Sequence, residues 1–143
     1  MRTTLFLMAC LVPLTGYSAE IDPTHLPGNW AGTGRYYEVK LQRQADAPRF
    51  DLTIGPDLTL TGTVGTARLV PTRPRATGKR VDYFVLLEGS VAQHAALRSK
   101  DHLLILITQL APGSFEADFH LKSSFGFDFT MHPGALHADR TAP

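Results

Sequence analysis

The sequence predicts an all-β domain, a small antiparallel up-and-down barrel of about seven or eight strands, complete or incompletely closed. Three observations lead there. Short runs with an apolar residue at every second position recur through the chain. Glycine, proline and aspartate clusters separate them at hairpin intervals. There is no internal repeat, coiled-coil heptad or low-complexity tract to suggest another architecture.

The first nineteen residues stand apart. Arg2 gives a positive start, Leu5 to Leu14 form an apolar run, and Gly16-Tyr17-Ser18-Ala19 end in small residues, the pattern of a secretory signal peptide cut after Ala19. The apolar run is about half the roughly 20 residues that span a bilayer, so no transmembrane anchor is expected. The product is expected to be exported, periplasmic or extracellular, with residues 20–143 forming one barrel domain. Cys10, preceded by Leu7-Met8-Ala9, resembles the lipid-attachment box of bacterial lipoproteins, but cleavage there leaves a very short apolar run, and lipidation is the lesser reading. Cys10 is the only cysteine, so the mature chain excludes a disulfide scaffold, a thiol nucleophile and a cysteine metal site. Its charge is balanced once Arg2 is removed from the net +1 of the whole chain, which leaves no global field to attract nucleic acid.

Residues 20–29, with Pro23, Pro27 and Gly28, are expected as an irregular lead-in. From Tyr36 to Gln42 a strand is predicted with Tyr37, Val39 and Leu41 on one side. Arg49 to Ile54 alternates with period two, Gly55-Pro56-Asp57 turns, and Leu58, Leu60 and Val64 resume, which reads as a hairpin with one buried face. The following stretch Thr61 to Ala67, TGTVGTA, has the glycines of a phosphate loop, yet β-branched residues flank them and Arg68-Leu69-Val70-Pro71 opens no helix. It is therefore read as strand, with something closely packed over Gly62 or Gly65. Gly32 and Gly34 are expected to act in the same way in the first strand.

Val81 to Glu88 and Leu103 to Thr108 are apolar on both faces, so something should cover the outside of the sheet there: a helix, the lead-in or another subunit. Ser90 to Asp101, between them, has a turn of helix as one reading. The last hairpin places Phe115, Ala117, Phe119 and Leu121, then Phe125, Phe127, Phe129 and Met131, on a core face. With its turn at Ser124 it pairs His120 with Asp128 and Glu116 with His132. The tail, residues 133–143, is expected to fray.

Gly28-Asn29-Trp30 resembles the glycine-x-tryptophan signature of lipocalin-type barrels, in which the tryptophan plugs the closed end. More broadly, the order GNWAG, a strand, TLTGTVGTA, an arginine-rich loop and a VDY strand resembles uncharacterised secreted bacterial proteins with a lipocalin or calycin-like β-barrel. That resemblance extends over most of the mature chain and implies a fold and no mechanism.

Candidate chemistry is sparse. The loop with Arg68, Arg73, Arg75, Lys79 and Arg80 has no acid between Asp57 and Asp82; it suits a sulfated glycan, a lipid phosphate or an acidic protein, or is simply solvated. Six histidines show no tight ligand spacing, and no metal or cofactor is expected. Glu116, His120, Asp128 and His132 could hold a zinc or serve a hydrolase, but ion pairing on a wet face is the simpler role. The expected function is non-enzymatic binding of a small apolar or amphipathic ligand in the barrel, lined by Trp30, Tyr37 and Tyr83, with Arg68 as polar contact. The alternative is an interaction or inhibitor module, whose outer apolar face at 81–87 and 103–107 meets a second copy or an envelope protein.

Overall fold

The computed structural model describes residues 20–38, 47–89, 102–125 and 128–142. The expectations for Val39 to Gln42, for Ser90 to Asp101, and for the side chains of Phe125, Phe127, Phe129 and Met131 lie outside the described residues.

The lead-in is a single 3-10 turn, Pro23–His25, whose N-cap Asp22 accepts from the Thr24 amide at 3.0 Å. Nine strands follow among the described residues: β1 Gly28–Tyr36, β2 Arg49–Ile54, β3 Leu60–Val64, β4 Ala67–Leu69, β5 Arg75–Thr77, β6 Arg80–Glu88, β7 His102–Ala111, β8 Ser114–Phe125 and β9 Asp128–Thr141. β4 and β5 lie along the same edge of β6, Leu69 opposite Leu87 and Arg75 opposite Asp82. They act as one stave interrupted at Pro71 and Pro74, because proline has no amide for the ladder. Between the two, Thr72 exchanges backbone hydrogen bonds of 3.1 and 2.8 Å with Leu60. The result is a closed, eight-stave, antiparallel up-and-down barrel.

Closure is made by the segment expected to fray. Residues 133–141 belong to β9, which pairs with β8 on one side and with β1 on the other. The misreading has a physical source: of the inward positions Gly134, Leu136 and Ala138, the first and last are small residues opposite Phe119 and Phe115, so only Leu136 carries the period-two signal.

TGTVGTA covers β3, a two-residue turn and the start of β4. Val64 lies opposite Ala67, and Gly65 has φ 58°, the arrangement of a II′ hairpin turn with glycine first. The close packing expected over Gly62 is present: its φ is 130°, and a side chain there would run into the Asp51 carbonyl and the Leu52 backbone of β2.

The barrel interior is filled along its axis by aromatic side chains. Trp30 and Phe115 lie 4.9 Å apart between ring centroids, Phe50 and Phe119 5.2 Å, and Phe119 and Tyr36 5.7 Å. Room for the Phe119 ring comes from Gly34 on β1 and Gly134 on β9, whose absent side chains leave space where the ring lies. A Cβ on Gly34 would stand 2.8 Å from Phe119 and 2.9 Å from Phe50. One end of the barrel is sealed by Trp30, which is 1% exposed and donates its indole N–H to the Leu26 carbonyl at 2.9 Å. The Arg140 guanidinium stacks over the indole at 4.2 Å. It also donates to the carbonyls of His25 and Pro27, both at 2.8 Å, and of Pro112 at 3.3 Å. One cation thus ties the lead-in, the β7–β8 turn and β9 together.

Two outcomes follow from this packing. Arg140→Ala should lower the unfolding free energy by about 2 kcal/mol, since charged hydrogen bonds and a cation–π contact are lost together. Arg140→Lys should recover only part of it, because an ammonium lacks the guanidinium fork; urea midpoints measure both. Gly34→Ala should cost about 1–3 kcal/mol by overpacking, and Phe119→Leu in the same chain should recover part of that loss.

Candidate functional site

β6 alternates inward and outward as the sequence implies. Val81, Tyr83, Val85 and Leu87 are buried inside, while Phe84 and Leu86 stay 59% and 49% exposed outside. Leu103, Ile105 and Ile107 of β7 are likewise buried, with His102, Leu104 and Leu106 on the outer face. The ladder sets the outer side chains of β6, β7 and β8 in three rows: Asp82–Leu106–Asp118, Phe84–Leu104–His120 and Leu86–His102–Lys122. Over this outer face lies a cleft of about 460 Å³, lined chiefly by Phe84, Leu86, His102, Leu104, His120 and Lys122.

Phe84 also forms a wall of an adjoining cleft of about 380 Å³, shared with Arg73, Arg75 and Asp82. The Arg75 guanidinium lies 5.9 Å from the Phe84 ring centroid, within cation–π range. Asp82 is the one buried charged residue among the described residues, and Arg80 holds it through contacts of 2.6 and 3.0 Å. That carboxylate stabilises the protonated guanidinium and raises the Arg80 pKa further. A buried carboxylate without such a partner would be strongly destabilising, so the pair anchors the foot of the outer face.

The four residues expected to line a ligand site do not converge. Trp30 and Tyr83 are inside, but both are committed to packing. The Tyr83 hydroxyl donates to the Leu58 carbonyl at 2.8 Å, and burial raises its pKa. Leu58, at φ 68°, is the one non-glycine residue with positive φ among the described residues, and this hydrogen bond fixes its carbonyl. Tyr37 is 53% exposed on the outside, where its hydroxyl donates to Asp118 at 2.7 Å, a bond that raises the phenol pKa. The inward residue is its neighbour Tyr36, because Trp30 sets the parity of the strand and 30, 32, 34 and 36 share its face. Arg68 is exposed on β4, opposite Thr63 and Glu88.

The last hairpin is also in a different register. Its strands pair Phe125 with Asp128, so Ser124 lies within the ladder, opposite Phe129, and is not the turn. His120 then faces Pro133, and Glu116 faces His137 in place of His132. The register follows from β9 having to match both β8 and β1, which a turn sequence cannot reveal. His137 is bracketed on the outer face: Nδ1 meets the Glu116 carboxylate, and Nε2 lies 3.0 Å from Asp139. With a carboxylate at each nitrogen, the protonated imidazole donates to both and then offers no lone pair to a substrate. Among the described residues no group of three or more His, Cys, Asp or Glu side chains is placed to hold a metal. Inside the barrel, His132 has a buried Nδ1 without a hydrogen-bond partner among the described residues, and its ring lies 6.3 Å from Tyr36.

No protein-family model matches the chain. No curated protein matches it either.

The bracketing of His137 has a pH consequence. Hydrogen bonds that its ring N–H groups donate to Glu116 and then Asp139 raise its pKa above the usual imidazole value. The folded state therefore holds the proton more tightly than the unfolded one. The tie contributes fully below the ordinary imidazole pKa and is lost as pH rises through the raised value. Its size should be under about 1 kcal/mol, because the side chains are half exposed and water screens them. Urea midpoints measured from pH 5.5 to 9 should fall with pH over this range, and His137→Gln should flatten that part of the profile.

Proposed function

We propose that this protein is an exported, non-enzymatic binding module whose working surface is the outer face of β6, β7 and β8. The observation that carries the reading is the contrast between inside and outside. The interior is occupied by the protein's own rings, as expected for eight staves, whose bore is just wide enough for side chains. The outside presents Phe84 and Leu86 to water beside a cleft of about 460 Å³. Large apolar side chains grouped on a surface mark a place where a ligand or partner removes them from water. Export is supported by the signal-like pattern of residues 1–19.

A second reading keeps a ligand at the barrel end opposite Trp30, and the buried, unpartnered Nδ1 of His132 favours it. There a small amphipathic molecule would meet His132 beside the Tyr36 ring.

A solvatochromic hydrophobic dye separates the two. Phe84→Ser combined with Leu86→Ser should weaken dye binding about tenfold or more while leaving the urea midpoint nearly unchanged, since both side chains are exposed in the unliganded protein. Dye binding that survives this double variant and is lost in His132→Leu would instead place the ligand at the barrel end.

A further inference from the structure

We infer that the cleft on β6, β7 and β8 takes an anionic amphiphile, a molecule with one acidic head and an extended apolar tail. This rests on the outer face being the working surface. The two walls of the cleft differ in chemistry. β6 supplies Phe84 and Leu86, and Leu104 of β7 continues the apolar strip. The other side carries His102, His120 and Lys122, all nitrogen groups, with no carboxylate among the described lining residues.

The order of the rows gives a bound molecule a direction. Lys122 and His102 share the row of Leu86, and His120 follows in the row of Phe84. The acids Asp82 and Asp118 come only in the third row, and each is engaged, by Arg80 and by the Tyr37 hydroxyl. Glu88, beyond Leu86 on β6, faces Arg68 across the β4 ladder. An acidic head is therefore favoured at the Lys122 and His102 end and repelled from the Asp118 end. The tail then lies along Leu86, Leu104 and Phe84, where its burial removes exposed apolar surface from water. Charge-assisted hydrogen bonds from nitrogen donors to an acid are the stronger class, and they select the head. The cleft also falls in the range of about 300–1,000 Å³ usual for small-ligand sites.

Dodecanoate, dodecanol and dodecyltrimethylammonium share a tail and differ in head charge, so calorimetric titration of the whole protein below their micelle concentrations tests the assignment. Dodecanoate should bind about tenfold more tightly than the alcohol, and the quaternary ammonium more weakly than either. Lys122→Gln with His102→Gln should bring dodecanoate to the alcohol's affinity and leave the alcohol unchanged. Phe84→Ser with Leu86→Ser should weaken all three. Equal affinity for the three heads, lost in that apolar double variant, overturns the anionic head and leaves the outer-face reading standing. Binding that the apolar double variant does not change overturns both, as does no binding at all. A ligand-free dimer that the same variant dissociates would assign the cleft to a second copy and overturn the inference. So would a gain in affinity for all three probes when residues 90–100 are replaced by a glycine–serine linker, which would make the chain itself the occupant.

Discussion

The contact on which the rest of this barrel depends is the seating of the Phe119 ring over Gly34 and Gly134. Those glycines lie on β1 and β9, the two strands whose pairing closes the sheet. A side chain on either would push the ring away or push the seam apart. With both absent, one phenylalanine reaches across the bore and meets Phe50 and Tyr36. Trp30 and Phe115 continue the filling toward the sealed end. In a barrel of eight staves this leaves little for a ligand to displace without dismantling the core.

The same closure shapes the outside. A closed sheet has no free edge through which to recruit a partner strand, so recognition falls to side chains on its surface. Around much of the barrel that surface is polar: the Thr53 hydroxyl donates to the Asn29 side-chain carbonyl, and Arg49 pairs with Asp51. On β6 and β7 the polarity lapses. Phe84, Leu86 and Leu104 face water between Arg75 on one flank and Lys122 on the other, a combination of apolar surface and positive charge that polar packing alone would not require.

Much of this was legible locally. The period-two pattern of Arg49 to Ile54 placed Phe50, Leu52 and Ile54 on the core face, and Phe115, Ala117, Phe119 and Leu121 announced themselves in the same way. The two-faced apolarity of 81–87 and 103–107, read as a sign that something covers the sheet there, corresponds to Phe84 and Leu86 standing exposed on the outer face. The ligand-lining set failed at β1 for a local reason: two of the inward positions between Trp30 and Tyr36 are glycines, so the parity of the strand was masked and Tyr37 was placed inside in its neighbour's stead. The proposed cleft was only half visible, because His102, His120 and Lys122 come from strands whose lateral order and register no single segment records.

Sequence alone determined strand from helix, the inward faces of the strongly alternating segments, and the absence of cysteine chemistry from residues 20–143. Those properties are written in neighbouring residues, through pleat geometry and side-chain chemistry. Tertiary structure decided that residues 133–141 close the barrel, that Glu116 meets His137, and that Phe84 shares a cleft with Lys122. Each of these is a meeting of segments far apart in the chain. It is fixed by the fit of rings into glycine gaps and by ladders that must match on both sides at once, and a one-dimensional pattern carries neither.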